Sequence, residues 1–189
     1  MATGSLRQGD AQTPAPTSVG YDAIGDGVRW LTDQERDAWL SAAALMIRLP
    51  AALDAQLQRD SELSFFEYMV MAVLSNEPEM TMRMSELAQA TSSSLSRLSH
   101  TAARMEKHGY LQRTRCPGAG RRTNATLTDE GFAKVAQAAP GHVTTVRSLL
   151  IDALSTAELK TLHEIGRRVL DRTNPDGTAS RRDRVCGSQ

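Results

Sequence analysis

Apolar residues recur at steps of three and four along most of the chain, the spacing that places them on one face of an α-helix. The first two such stretches follow Thr32–Glu35 and Ser64–Glu67, which have the spacing of a capping box. We expect one helix over about residues 32–59, bent but not ended by Pro50, and a second ending near Asn76, two residues before a proline. The apolar positions are Ala42, Met46, Leu49, Leu53 and Leu57 in the first helix and Phe66, Met69, Val70, Val73 and Leu74 in the second.

The middle of the chain carries two shorter helical patterns joined by a tight turn. The first spans about Ser85–Ala90. Thr91–Ser94 is expected to form the turn, because Ser and Thr compete with helical hydrogen bonds and then cap the next helix. That second helix is expected to stop at Gly109, which suits a left-handed C-terminal position. The residues predicted to face inward are Met84, Leu87 and Ala88, then Leu95, Leu98, Ala102 and Met105.

A β-hairpin is predicted directly after these helices. Residues 110–115 and 123–127 alternate in polarity, and the segment between them contains a proline and two glycines. The tip of this hairpin would carry Arg121 and Arg122. Two short helices joined by a tight turn are typical of a helix-turn-helix, and a hairpin after them makes a winged helix.

Two further helices are predicted in the last third of the chain. The first begins at Thr128 and is expected to be interrupted at Pro140-Gly141 before it resumes. The second opens with a third capping box, Ser155–Glu158. Its buried face is expected to comprise Leu159, Leu162, Ile165 and Val169. The apolar positions of the first are Phe132, Val135, Ala136 and Ala139, followed by Val143, Val146, Leu149, Leu150 and Ala153.

Charge is distributed unevenly along a chain that is neutral overall. Residues 81–127 contain 8 Lys or Arg against 2 acidic residues, whereas residues 1–80 contain 5 basic and 12 acidic residues. Nucleic-acid-binding proteins concentrate positive charge where they contact phosphates. The winged helix is therefore interpreted as a DNA-contacting module.

Eight side chains of the winged helix are predicted to contact DNA. The three serines of the turn offer hydroxyls and free amides to phosphates, although turn formation and capping also explain them. The polar side chains of the second helix point away from its apolar face and are expected to enter the major groove, unless its arginine is simply solvated. An arginine at the hairpin tip suits the minor groove. The predicted contacts are Ser92, Ser93, Ser94, Ser96, Arg97, His100, Arg121 and Arg122.

Other classes of function find little support in the sequence. The four histidines have no metal-ligand spacing, and neither a phosphate-binding glycine loop nor a nucleophile elbow is present. We therefore predict no enzyme, no metal and no cofactor. Cys116 and Cys186 match no zinc pattern, while a thiol-sensing role for Cys116 stays open. No apolar run approaches the roughly 20 residues that cross a bilayer, so a cytoplasmic location is expected.

Three motifs in this order resemble the MarR family of bacterial winged-helix transcriptional regulators. They are Ser85-Glu86-Leu87-Ala88, the stretch from Arg104 to Arg113 (Arg-Met-Glu-Lys-His-Gly-Tyr-Leu-Gln-Arg), and Leu127-Thr128-Asp129-Glu130-Gly131. They are similar to the family's first helix of the motif, the entry to the wing and the exit from it. The similarity covers about Leu31 to Arg172.

The resemblance implies a homodimer in which the first and the last two helices interlock. Two winged helices would then meet successive turns of a pseudo-palindromic operator on double-stranded DNA. Many family members repress nearby genes and release DNA when a small, often aromatic molecule enters a crevice beside the DNA-binding lobe.

Three differences from the family pattern affect what the resemblance implies. Ala119-Gly120-Arg121 keeps the wing arginine but lacks the carboxylate that commonly accompanies it, so a looser wing is expected. Ser99-His100 replaces a common Thr-Arg pair, which changes the expected base preference. The cysteine of the peroxide-sensing members is missing from the first helix, so that chemistry is not implied.

Together these patterns predict a mainly α fold with a small β-wing: a winged helix-turn-helix DNA-binding lobe plus a helical dimerisation lobe. Residues 1–27 and 173–189 are polar and are expected to be disordered tails. Residues 28–172 would form one domain, with dimer helices at about 32–59 and 128–171 and a DNA-binding lobe at about 64–127.

The alternative function is a winged helix that docks another protein without binding specific DNA, because a fold does not fix a function. The arginines of the second helix and the hairpin favour DNA. Salt distinguishes the two functions, since DNA affinity falls steeply as bound phosphates release counterions.

Overall fold

The structure, a computed structural model, describes residues 27–115 and 122–173 of the 189-residue chain. It confirms a mainly α fold with a small β-wing. The helices are α1 (Asp33–Ser61), α2 (Phe65–Ser75), α3 (Met84–Ala90), α4 (Leu95–Lys107), α5 (Asp129–Leu149) and α6 (Thr156–Thr173). The strands are β1 (Thr81–Arg83), β2 (Leu111–Arg115) and β3 (Thr123–Leu127), and short 3-10 turns cover Pro78–Met80 and Ile151–Ala153.

The chain divides into two compact units, residues 1–41 and 42–189. The described part of the first unit contains the start of α1, where the predicted capping box is present. The Thr32 amide donates to the Glu35 carboxylate at 2.8 Å, and the Glu35 amide donates to Thr32 Oγ1 at 3.3 Å. Both bonds satisfy amides that a helix start leaves unpaired.

The hydrophobic core of the second unit is formed by α2, α3, α4, the sheet, the first part of α5 and the end of α1. Burial of a large apolar side chain contributes about 1.5–3 kcal/mol, so a core of this size can hold the short α3 and α4 in place. The largest fully buried side chains are Leu57, Val70, Met71, Leu74, Leu87, Leu98, Met105 and Leu127.

The three strands form one antiparallel sheet in the order β1-β3-β2. The predicted hairpin is confirmed as β2 and β3, but β1 was not predicted, because three residues are too short to show an alternating pattern. β1 pairs Thr81 with Thr126, whose hydroxyls lie 2.9 Å apart, and Arg83 with Asn124. The sheet therefore joins the wing to the segment before α3.

The predicted interruption of α5 is wrong, because the helix runs unbroken from Asp129 to Leu149 through Pro140. A proline removes one backbone donor but does not end a helix whose buried face continues past it. Here Val135, Ala138 and His142 are all buried on that face. The other proline prediction is confirmed, since α1 continues through Pro50.

His142 joins α5 to α2 through aromatic contacts. Its ring centroid lies 4.2 Å from that of Tyr68 and 5.9 Å from that of Phe65. Burial lowers the pKa of His142 and raises the pKa of Tyr68. The folded protein therefore favours the neutral form of both rings at neutral pH.

Several apolar helix faces that the periodicity identified are exposed within the chain. α6 has no buried residue, so the chain itself does not cover the face predicted to be buried, with Leu162, Ile165 and Val169. Of the apolar face of α1, Leu53 and Leu57 are buried, whereas Met46 is 59% exposed. Periodicity identifies the apolar side of a helix but not whether the same chain covers it. Leu95, Phe132, Val143 and Leu149 are also largely exposed.

By length and composition, α1 is apolar enough to cross a membrane, contrary to the expectation from the sequence. One such helix near the N-terminus is weak evidence for a membrane span, because other kinds of helix share these features. Arg48 and Asp54 also lie within α1, and charged side chains are costly inside a bilayer.

Candidate nucleic-acid interface

Helix α4 has one buried face and one exposed polar face, as predicted. Leu98, Ala102 and Met105 are buried, while Ser96 and His100 are exposed. Leu95, predicted to be buried with them, is 52% exposed, because this first residue of α4 lines an open cavity beside the wing instead of the core. The exposed face leaves Ser96 and His100 free of the core packing that fixes the opposite side of the helix.

The serines before α4 build the turn. The Ser93 amide donates to the Ala88 carbonyl at 2.8 Å, and the Ser94 hydroxyl accepts from the Arg97 amide at 3.2 Å. Ser92 has a positive φ of 49°, which an L-residue adopts only at some cost. Turn formation and capping are thus real roles of these residues. Ser92 and Ser94 are also exposed, so the same turn can meet a phosphate.

Arg97 lies with its guanidinium carbon 4.3 Å from the centroid of the Phe66 ring on α2. The sequence predicted that this side chain points into the major groove, and the cation–π contact holds it against α2 instead. Such a contact contributes about 0.5–1 kcal/mol at an exposed site, which a DNA contact can exceed. Base contact by Arg97 therefore requires release of the Phe66 ring.

The base of the wing is anchored to α4 by Glu106 and Arg113. The Glu106 carboxylate accepts from the Arg113 backbone amide at 2.9 Å and from its guanidinium at 2.9 and 2.6 Å. Hydrogen bonds from the Arg113 side chain are the main reason that the pKa of Glu106 is lowered. Arg113 therefore braces the base of the wing against α4.

Thr128 closes the wing where its two strands meet α5. Its amide donates to the Tyr110 carbonyl at 3.2 Å, and its hydroxyl donates to the Gly109 carbonyl at 2.6 Å. The same hydroxyl accepts from the Gly131 amide at 3.0 Å, which caps α5. Gly109 has the predicted left-handed backbone, with φ of 76°.

The wing tip is only partly described. Arg121, together with Cys116, Ala119 and Gly120, lies outside the described residues. Arg122 is described and exposed immediately before β3. The predictions for the tip arginine therefore remain predictions.

A second ion pair, which the sequence did not predict, joins α4 to α2. Arg104 Nε lies 2.8 Å from Glu67 Oε1, and the Glu67 side chain is only 11% exposed. Burial raises the pKa of Glu67, but hydrogen bonds from Ser64 and the charge of Arg104 outweigh it, so the pKa is lowered. The two partners are 37 residues apart, so no local pattern reveals the pair.

A crevice of about 780 Å³ lies between α1, α2 and the turn before α4. Phe65, Phe66 and Met69 supply apolar walls, and Arg97 and Arg104 supply positive charge. Its size lies within the range of about 300–1,000 Å³ that is typical of small-molecule sites. Within residues 27–115 and 122–173, no group of three or more His, Cys, Asp or Glu residues is placed to hold a metal ion.

Comparisons with known proteins identify the family. The model of the MarR family matches residues 62–122. The structure of Sco3205, a MarR family transcriptional regulator from Streptomyces coelicolor in complex with DNA, is 38% identical to this chain with a TM-score of 0.77. The match covers 81% of this chain and 96% of the Sco3205 chain. A search of curated proteins finds no match.

A second relative supports the same assignment. AbsC, a MarR family transcriptional regulator from Streptomyces coelicolor, is 34% identical with a TM-score of 0.74, over 79% of this chain and all 100% of AbsC. Both similarities extend well beyond the helix-turn-helix into the flanking helices. The chain belongs to the MarR family of transcriptional regulators.

Proposed function

We propose that this regulator is a cytoplasmic homodimeric repressor that binds a pseudo-palindromic operator near its own gene and releases it when a small aromatic effector binds. The observation that carries the proposal is the exposed polar face of α4 beside an anchored wing. DNA bound by the related Sco3205 supports the same use of this fold. Ser96, Arg97 and His100 would read bases, while the turn serines and Arg122 would contact the backbone.

Homodimer formation would cover the apolar faces that the chain leaves exposed. α6 has no buried residue, and Leu162, Ile165, Val169 and Leu170 are 37–58% exposed along it. On α1, Leu45, Met46 and Ile47 are 44–72% exposed. Contiguous apolar surface of this kind is typical of an interface. A second copy of the chain provides matching apolar faces, because a symmetric dimer uses the same surface twice.

DNA binding is tested by titrating the protein against labelled DNA from its own upstream region and against scrambled DNA at two salt concentrations. We expect the upstream fragment to bind at least about tenfold tighter, and both affinities to fall as salt rises. Arg121→Ala is expected to weaken upstream binding by about tenfold or more without dissociating the dimer, because it removes the predicted minor-groove contact.

The matched control is Arg59→Ala, which removes the same charge from the exposed end of α1. Equal binding of the two DNA fragments would refute sequence-specific regulation of the neighbouring gene. A complete lack of DNA binding would instead favour a protein-docking function.

The effector would occupy the crevice that Phe66, Arg97 and Arg104 line. Its apolar walls fit an aromatic ring, and the guanidinium of Arg97 can pair with an acidic group on that ring. A ligand whose acidic group pairs with Arg97 holds this side chain in the crevice and so withholds it from the proposed DNA contact. Occupancy of the crevice and reading of the operator are thereby coupled.

A panel of small aromatic acids tests this effector proposal. At least one member is expected to release the operator fragment from the wild type, and Phe66→Leu is expected to require about tenfold more of it, since leucine lacks the ring face. Phe132→Leu serves as the control, because Phe132 lies on α5 and does not line the crevice. An effector that acts equally on both variants does not use the Phe66 ring.

A further inference from the structure

A second cavity, of about 640 Å³, lies between α3, the start of α4 and the strands of the wing. It is separate from the effector crevice and shares no lining residue with it. Three arginines line it, Arg83, Arg113 and Arg122, against a single carboxylate, Glu86. The cavity therefore carries a net positive lining, and it lies beside the exposed residues of α4 and the wing.

Arg83 is the unusual member of this set. Its Nε is buried and has no hydrogen-bond partner among the described residues, 27–115 and 122–173. A buried N–H without an acceptor costs about 1–3 kcal/mol, so such groups normally have a partner in the functional state. Arg83 thus brings to the cavity a guanidinium that no described residue holds at Nε.

The other two arginines differ in availability. Arg113 is held by Glu106 through two guanidinium hydrogen bonds. Arg122 is exposed and forms no ion pair within the part of the chain that the structure describes. β1 pairs Arg83 with Asn124, and Arg122 precedes Asn124 by two residues. Arg122 lies immediately before β3, and both Arg83 and Arg122 line this cavity.

We infer that this cavity binds a phosphodiester group of the DNA backbone, held by Arg83 from β1 and Arg122 from the wing. The inference rests on the proposed DNA binding and adds to it a contact residue outside both the recognition helix and the hairpin. Guanidinium groups donate several N–H bonds in a fixed geometry that matches phosphate oxygens. Because β1 is tied to β3, the contact would fix the position of the wing on the duplex without reading sequence.

The test is the salt dependence of DNA binding by Arg83→Met, which keeps most of the apolar stem and removes the charge. Two lost phosphate contacts, one in each protomer of the proposed dimer, are expected to make the slope of log affinity against log salt shallower by about 1.8, and to weaken binding by about an order of magnitude or more at 0.1 M salt. Upstream and scrambled DNA are expected to lose affinity by the same factor. Arg59→Met controls for the loss of one distant charge.

Arg83→Lys separates the charge from packing, since it restores the cation but not the Nε donor. It is expected to recover the slope and only part of the affinity, whereas a purely structural role would leave all slopes equal and lower the melting temperature instead. If the wild type binds DNA and Arg83→Met keeps its slope, this inference is overturned and the proposed function stands. If the wild type binds no DNA, both are overturned.

Free inorganic phosphate offers the same oxygen acceptors as a DNA phosphodiester and is the alternative ligand for this cavity. The test is whether inorganic phosphate, added at constant ionic strength, stabilises the wild type but not Arg83→Met. If it does, and if Arg83→Met leaves the salt dependence of DNA affinity unchanged, the cavity binds a free anion and the DNA contact is overturned.

Discussion

Gly131→Ala is expected to destabilise the protein by about 3 kcal/mol or more, among the largest effects of any single methyl group in this chain. A Cβ at this position would lie 2.1 Å from the Tyr110 carbonyl oxygen and 2.7 Å from Leu127 Cδ1. The Tyr110 carbonyl cannot move away easily, because it accepts the Thr128 amide at the base of the wing. Gly131 lies in the first turn of α5, where any L-residue can adopt the helical backbone. The requirement for glycine is therefore steric and not conformational.

The measurement is thermal unfolding followed by circular dichroism at fixed protein concentration. A loss of about 3 kcal/mol corresponds to a melting temperature lower by roughly 6–12 °C for a chain of this length. Gly166→Ala on α6 is the matched control, because apart from the adjacent backbone of its own helix no atom of the described residues lies within 4 Å of its Cβ position. In a helix interior that change is expected to stabilise by about 0.5–1 kcal/mol. Equal melting of Gly131→Ala and the wild type would contradict the steric argument.

Ile165→Asp is expected to convert the proposed dimer largely to monomer. Ile165 is 45% exposed in the middle of α6, where nothing in the described chain buries the apolar face. A carboxylate buried there between two chains would lack a partner twice, once in each copy, because a symmetric interface repeats every substitution. We expect the dimer dissociation constant to rise at least about 100-fold, which corresponds to about 2.8 kcal/mol.

Sedimentation velocity over a range of concentrations measures this change. His163→Asp is the control, since His163 lies with Glu164 and Arg167 on the polar side of the same helix. It adds the same carboxylate and is expected to leave the dimer intact. A wild type that sediments as a monomer would contradict the dimer itself. If Ile165→Asp stays dimeric, α6 is not in the interface.

The sequence predicted the elements well because their signals are local. All three capping boxes form, and Gly109 has the backbone that ends α4. The helix-turn-helix and the hairpin were found from the spacing of apolar residues and from turn residues. Each of these features depends on side chains within a few positions of one another, which is the range over which a sequence pattern carries information.

Features that depend on distant partners were missed. The Arg104–Glu67 pair and strand β1 join segments that are tens of residues apart in the chain. The contact of Arg97 with Phe66 was missed for the same reason. The sequence identified the polar side of α4, but it did not show that the Phe66 ring of α2 lies beside it. The apolar faces of α1 and α6 were found, but periodicity does not reveal which molecule covers them.

Because Thr128 closes the base of the wing, the sequence beyond it is free to vary. Hydrogen bonds from Thr128 to Gly109 and Tyr110 close the loop before the tip begins, and Glu106 holds β2 independently. A longer or altered connection between β2 and β3 then adds only the entropy of a larger closed loop, about 0.6 kcal/mol for each doubling in length. The connection between β2 and β3 can therefore vary in length and sequence without redesign of the core.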